Sequence, residues 1–384
     1  MPPKKPHKNH TSKPPSSTRA KGKPHQPPPA RSNKSETVTI TPKESSATEQ
    51  EILTIFRRTF SHAFTSTLSQ TLQEVKGHLY NRDYLQAFGS EEYLQAYVVR
   101  WSPSRALAYR KIFLETCEEV TRVFDVNSNG ANDSPAEVVC IGGGAGAEVV
   151  GIAATVKELV GNRVGSGKET SSSPEQYDKM GTMTGESTSM LNEPEGRSNS
   201  IQTASFSELR IFVIDIAPWT TIITSLVASL SQCSPSQEIP LISPDVFSAT
   251  FDQADILSSH PASPINKSTS LITLLFTTNE LFTQSTPKAS SFLSGLADRL
   301  SSGALLLVVE SAGNYSMVKV GEKEYPMPWL LDLILLGRPG DGDSGMWKKI
   351  VSEDSVWYRL PKGGLKYPIE LENMRYLVRV YQRI

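Results

Sequence analysis

Three glycines at alternate positions, Gly142, Gly144 and Gly146, close the apolar run Glu137-Val-Val-Cys-Ile141. A strand ending in such a bend lets backbone N–H groups and a helix start approach a ligand that side chains would otherwise block. Gly142-x-Gly144-x-x-Ala147 also satisfies the dinucleotide pattern G-x-G-x-x-G/A. A nucleotide-type ligand and a plain tight turn therefore both remain open. A second apolar run, Ile211-Phe-Val-Ile-Asp215, ends in a carboxylate suited to a ribose diol, although Asp215 also reads as a helix N-cap before Pro218. It follows Gly142 by 73 residues, or 28 once the polar segment 161–205 is set aside. Asp255, followed by Ile256 and Leu257, could accept from an adenine amino group. Asn279-Glu280 follows a further strand, where polar groups face the ligand crevice of a parallel sheet. Asn279 could orient an amide or imide edge and Glu280 could exchange a proton; the same pair also suits the N-cap and first turn of a helix. Arg100 and Arg105 offer planar forks for phosphate, and Trp101 a face on which an unstacked base could lie. Tyr93 and Tyr97, four apart on one helix face, read first as packing.

Other chemistries are poorly supplied. Cys117, Cys140 and Cys233 lie far apart with no CxxC pair, which excludes a disulfide framework and a thiolate zinc site. No two histidines stand at metal-ligand spacing, so no metal is expected. Gly165-Ser-Gly-Lys168-Glu169 imitates a phosphate loop, but its glycines are misspaced and Glu169 takes the Ser/Thr place. No apolar stretch is long enough to span a bilayer and no secretory signal opens the chain, which reads as a soluble intracellular protein without membrane contact.

The elements that must position these residues fall into three parts. Residues 1–45 are rich in Pro, Lys, Ser and Thr; the first 35 carry nine Lys/Arg and no acid, although the 384-residue chain has a net charge of −1. This is a disordered basic tail, suited to a nuclear or nucleolar address or simply to solvation. Residues 46–130 form a helical module. Apolar residues at Ile52, Phe56, Phe60, Phe64, Leu68, Leu72, Val75 and Leu79 mark one long helix or two in tandem. Ser102-Pro103 reads as a helix start, with Ser as N-cap and Pro at the first helical position, and that helix runs to about Phe124. Residues 127–135 are the linker. From residue 136 to 384 the pattern is strand, glycine turn, helix, then further strands near 209–216, 249–251, 271–277 and 304–309. Helices are expected at 220–231 and 290–300. That is a doubly wound, Rossmann-like α/β domain, with 161–205 as a disordered insertion after a helix ending near Val160.

The ordered set of Gly142, Gly144 and Gly146, Asp215, Asp255 and Asn279-Glu280 resembles the class I S-adenosylmethionine-dependent methyltransferases. Two flanking segments narrow the likeness: Arg100-Trp101-Ser-Pro-Ser-Arg105 and Leu371-Glu-Asn-Met-Arg375. With them the chain is similar to the fungal 25S rRNA (uridine-N3)-methyltransferases from about residue 50 to the end. The resemblance implies S-adenosylmethionine held by the glycine turn, with Asp215 on the ribose and Asp255-Ile256 on the adenine. It implies one uridine of large-subunit rRNA as substrate; a nuclear or nucleolar location, with the cytoplasm also open, and a monomer are expected beside it. N3 of uracil lies on the pairing edge and carries a proton, so the base must be flipped out and deprotonated. Glu280 is the candidate to take that proton and Asn279 to hold a uracil carbonyl. Rival readings are a nicotinamide-dinucleotide oxidoreductase, a non-catalytic ribosome-assembly factor, and a methyltransferase acting on protein or a small molecule.

Overall fold

Val138 and Cys140 leave strand β1 (Ala136–Ile141) on one side, Val139 and Ile141 on the other, and all four are buried. Only a sheet covered on both faces buries both sides of a strand, and the flanking helices supply the cover. In the computed structural model the described residues are 42–126, 135–166, 208–233, 240–258, 264–313, 317–337 and 345–384. Strands β2 (Leu209–Asp215), β3 (Phe247–Gln253), β4 (Thr269–Leu275) and β5 (Leu305–Ser311) run parallel to β1. A short hairpin, β6 (Met317–Val320) and β7 (Lys323–Pro326), precedes two long antiparallel strands, β8 (Trp347–Tyr358) and β9 (Met374–Arg383). The main sheet has the order β3-β2-β1-β4-β5-β9-β8. The chain leaves β1 for β2 on one side and later returns to β4 on the other, so the switch point lies between β1 and β4. Ligands of doubly wound sheets bind at that point, beyond the carboxyl ends of the strands.

Helices α1 (Pro42–Thr59), α2 (Leu68–Tyr80), α3 (Tyr84–Ala87), α4 (Glu91–Glu115) and α5 (Glu118–Val123) come first in the chain. α6 (Ala147–Ser166) and α7 (Thr220–Leu230) join them on one face, while α8 (Thr278–Arg299) and α9 (Met327–Leu336) cover the other. The amino-terminal helices share a single apolar cluster with the sheet, from Phe56 and Phe113 to Val138 and Ile211. Gly151 on α6 allows α4 to approach closely: a Cβ there would lie 3.2 Å from that of Tyr109. Buried Arg110 on α4 ties the layer together, bonding Glu158 of α6 at 2.8 Å through Nε and lying 3.7 Å from Glu49 of α1.

Several boundaries differ from expectation. Ser102-Pro103 does not open a helix; both are buried inside α4. Proline lacks the N–H that would bond the Val99 carbonyl, and a break would ordinarily follow. Here the Tyr367 hydroxyl donates to that carbonyl at 2.9 Å, and the Ser102 hydroxyl donates to Ala145 O at 2.8 Å. Tertiary bonds thus replace the missing helical one. Pro42 already belongs to α1, inside the expected tail, since proline suits a first helical position. α6 continues to Ser166, six residues into the expected insertion, because adding residues to an existing helix needs no new nucleus. α8 begins at Thr278 rather than 290, and its non-helical Ser285 just before Pro287 marks the kink that hid its first half. The rest of the insertion, most of the basic tail and most of the linker lie outside the described residues.

Candidate functional site

The glycine turn is locked by its protein neighbours. Gly142 and Gly146 have φ of +75°, a region open to glycine at little cost. A Cβ on Gly142 would lie 2.2 Å from the Thr277 hydroxyl, and one on Gly144 would lie 1.9 Å from the buried Trp219 indole. From this turn the Gly144 N–H donates to Asp215 Oδ2 at 3.1 Å, and the Ala217 N–H donates to Oδ1 at 3.0 Å. Asp215 ends β2, opposite Gln253 at the end of β3, and its carbonyl accepts from Ala254 N at 2.9 Å. Asp255 follows directly, so the two acids stand at the same rim. Asp255 accepts from Leu257 N and from Gln284 Nε2, each at 2.9 Å. Ile216, next to Asp215, is 58 % exposed at this rim.

Beyond β4 the backbone turns sharply. Phe276 has φ of +63°, a strained conformation for an aromatic residue. Its N–H donates to Val309 O at 2.7 Å, which helps hold the strain. Thr277 then caps α8, which makes Asn279 its second residue instead of its N-cap. Asn279 donates to Glu310 through its backbone N (3.2 Å) and Nδ2 (2.9 Å). Glu310, at the end of β5, is 2 % exposed. Burial raises its pKa to about 7 against the opposing pull of the Asn279, Ser311 and Thr278 amides. Glu280 reaches solvent between the walls of the site. Desolvation by those walls, then the carboxylates of Asp215 and Glu310, raise its pKa to about 8, with Arg105 opposing. Glu148 in the first turn of α6 is raised to about 7, again chiefly by burial, while Thr273 and Cys140 hydrogen-bond it. Burial also raises the pKa of Asp215, opposed by the amides of Ala217 and Gly144.

On α4, residues 97, 101 and 105 share one face and 100 and 104 another. Tyr97, Trp101 and Arg105 turn toward the site: the Tyr97 ring lies 4.8 Å from that of Trp101 and 5.8 Å from that of Trp219. Phe88 packs edge-on to Tyr97 and stacks with Tyr84. Arg105 donates to the Tyr97 hydroxyl at 2.7 Å and lies over the Phe276 ring at 5.4 Å. Arg100 points away. It is bonded to the Glu372 carboxylate and to Glu370 O at 3.2 Å, while the Ser104 hydroxyl accepts from Glu372 N at 3.0 Å. The two flanking segments singled out in the sequence therefore meet and bind each other. Arg100, whose fork is filled by protein, is not brought to the site with Arg105.

Sequence reasoning did not assign roles to Glu148, Glu310, Ile216, Phe276 or Trp219. Glu310 carried a readable signal, a carboxylate ending an apolar strand just as Asp215 does, but that strand was expected to stop at Val309. The left-handed turn at Phe276 has no signal in residue type. Among the described residues no three His, Cys, Asp or Glu side chains are grouped to hold a metal, and no helix is long and apolar enough to cross a membrane.

Residues 56–382 match the model of a family of SAM-dependent methyltransferases. The chain belongs to this family. Its curated relative in Saccharomyces cerevisiae, "25S rRNA (uridine(2843)-N(3))-methyltransferase", is 33 % identical over 352 residues, covering 88 % of this chain and 86 % of the relative. Solved structures with some likeness include a SAM-dependent methyltransferase from Methanosarcina mazei (10 % identity, 65 % of this chain and 93 % of that one, TM-score 0.33). Another is the N-methyltransferase NodS of Bradyrhizobium japonicum with S-adenosyl-L-homocysteine (10 % identity, 73 % and 98 %, TM-score 0.31). At such scores the likeness bears no weight here; the strand order and the family carry the fold, a Rossmann-like methyltransferase sheet.

The residues at the rim fit the family's cofactor, S-adenosylmethionine. Each Asp215 oxygen accepts a backbone amide, and a carboxylate so placed can also accept from a ribose hydroxyl. Exposed Ile216 and half-buried Ile256 offer apolar faces to a purine, and Asp255 a carboxylate at its edge.

Proposed function

We propose that this protein methylates N3 of a uridine in large-subunit rRNA. The observation that carries the proposal is 33 % identity across 88 % of the chain to a yeast enzyme named for that activity. Support comes from the joined segments Arg100–Arg105 and Leu371–Arg375, which brace the site instead of lying on separate surfaces. In this reading Gly142, Gly144 and Gly146 shape the turn beside the methyl donor, Asp215 takes the ribose, and Asp255 and Ile256 take the adenine.

The bound cofactor supplies an electrophilic sulfonium methyl group. Protein groups do the remainder. A neutral imide nitrogen is a poor nucleophile until its proton leaves, and Glu280, with a pKa raised to about 8, is a stronger base than an ordinary carboxylate. Asn279, fixed by Glu310, orients the base from the side. Trp101 and Tyr97 offer the faces on which a flipped uracil stacks. The basic segment 1–35 supports a nucleolar location. Mass-spectrometric mapping of rRNA from cells lacking the gene tests the assignment. Loss of one 3-methyluridine is expected; an unchanged uridine profile, or loss of a different modification, refutes it.

A further inference from the structure

Arg105 is the residue in the site whose surroundings least match a phosphate contact. It lies on the inner face of α4, against Tyr97, Tyr109 and Phe276. Its one hydrogen bond among the described residues is to the Tyr97 hydroxyl, which leaves most of its five N–H donors open. The neighbouring ionisable groups are Tyr97 and Tyr109 on α4, Glu280 on α8, Glu148 on α6 and Glu310 on β5. Asp215 on β2 in turn acts on Glu280 and Glu148. Arg105 is the cation common to this group of carboxylates.

Resting on the uridine reading above, we infer that Arg105 binds a uracil carbonyl and takes up the charge that develops there when N3 is deprotonated. A flat neutral base suits the aromatic surroundings of Arg105, whereas a phosphate there would also meet Glu280, Glu148 and Glu310. The step balances without a further reagent. The N3–H bond breaks and its proton passes to Glu280, while the electron pair spreads over N3 and the adjacent carbonyl oxygens. That pair forms the N3–CH3 bond as the methyl–sulfur bond breaks, and the sulfur keeps those electrons as a neutral thioether. Charge on a carbonyl oxygen exists only on the way to the transition state, so a fixed cation there accelerates the step instead of merely holding substrate. The Tyr97 hydroxyl, which accepts from Arg105, helps hold the guanidinium in place.

The test compares Arg105→Gln and Arg105→Lys with the unaltered full chain. Methyl transfer to an rRNA fragment is followed from pH 6.5 to 9.5, and S-adenosylhomocysteine binding by calorimetry. Arg105→Gln is expected to lower kcat by about 100- to 1,000-fold at neutral pH, the range for loss of one preorganised stabiliser. Its KM for RNA and its affinity for S-adenosylhomocysteine should stay within about threefold, and the deficit should shrink as rising pH ionises the imide unaided. Arg105→Lys, which keeps the charge but not the fork, should recover part of kcat. A raised KM with kcat preserved would make Arg105 a phosphate contact and overturn the inference. So would a tenfold loss of S-adenosylhomocysteine affinity, which would assign the fork to the cofactor's carboxylate. Absence of RNA methylation by the unaltered protein would instead sink the uridine reading itself.

Discussion

The two rims of the parallel strands are built on opposite plans. At the amino rim, charges are neutralised where they stand. Arg210 bonds Glu208 at 2.8 Å and lowers its pKa, Ser248 adds a bond to the same carboxylate, and Lys267 donates to Leu300 O. A cleft of about 400 Å³ lies there, lined by Ser268, Thr269, Ser301, Ser302 and Gly303 among others. At the carboxyl rim, Glu148, Asp215, Glu280 and Glu310 all have raised pKa values, chiefly from desolvation, and Glu148, Glu280 and Glu310 share Arg105. The strained Phe276 and the positive-φ Gly142 and Gly146 lie there too. Folding alone favours the amino-rim arrangement, since uncompensated burial of carboxylates is unfavourable. The carboxyl rim carries that cost because its groups are arranged for a ligand and a proton transfer.

Substitutions at the two rims should therefore differ in kind. The largest effect is expected for Glu280→Gln, which keeps shape and removes the base: kcat should fall by about 100- to 10,000-fold, with S-adenosylhomocysteine binding retained in calorimetry. In the unaltered protein kcat should climb as pH rises toward about 8, where Glu280 loses its proton, and that limb should vanish in the variant. Next comes Glu148→Gln, read as stability. Folded Glu148 keeps its proton up to about pH 7, whereas the unfolded chain releases it near its ordinary value of 4.5. The folded state thus binds more protons, and stability falls as pH rises between those values. That difference corresponds to on the order of 3 kcal/mol. Glu280 and Glu310 add losses of the same sign, so urea unfolding at pH 5 and pH 8 should show a smaller loss in Glu148→Gln than in the parent, the difference being the share of Glu148.

A smaller effect is expected where the carboxyl-terminal segment braces α4. Tyr367→Phe leaves the Val99 carbonyl, already without its helical partner because of Pro103, with no donor. A loss of about 1–3 kcal/mol in unfolding free energy is expected, with cofactor affinity unchanged. The smallest belongs to the amino rim. Arg210→Ala should leave both the urea midpoint and methyl transfer unchanged within error, because its ion pair with Glu208 is exposed to solvent. A large loss of activity there would break the contrast between the rims.

The legible part of this molecule was whatever follows from alternation and from residues placed at strand ends. Asp215 and Asp255 came to one rim because they stand at the ends of neighbouring parallel strands, β2 with a plain apolar run and β3 with only a short one near 249–251. Asn279 and Glu280 followed from the same logic. What was not legible depends on partners distant in the chain. Pro103 reads locally as a helix start, and only Tyr367, 264 residues later, lets it sit inside one. Arg100 and Arg105 look alike in sequence, yet five residues along a helix turn them to different sides: one to Glu372, the other to the site. The hairpin of β6 and β7 and helix α9 were not foreseen, since their short runs lack clear period and sit between weak turn signals.

The central claim is that the carboxyl rim, with Glu280 as its base, places a methyl group on uridine N3. Purified protein, radiolabelled S-adenosylmethionine and unmodified large-subunit rRNA, followed by digestion to nucleosides and mass spectrometry, test it most directly. Label in 3-methyluridine alone, lost in Glu280→Gln, is the expected result. Label in 5-methyluridine, in a ribose-methylated nucleoside or in no nucleoside would contradict it.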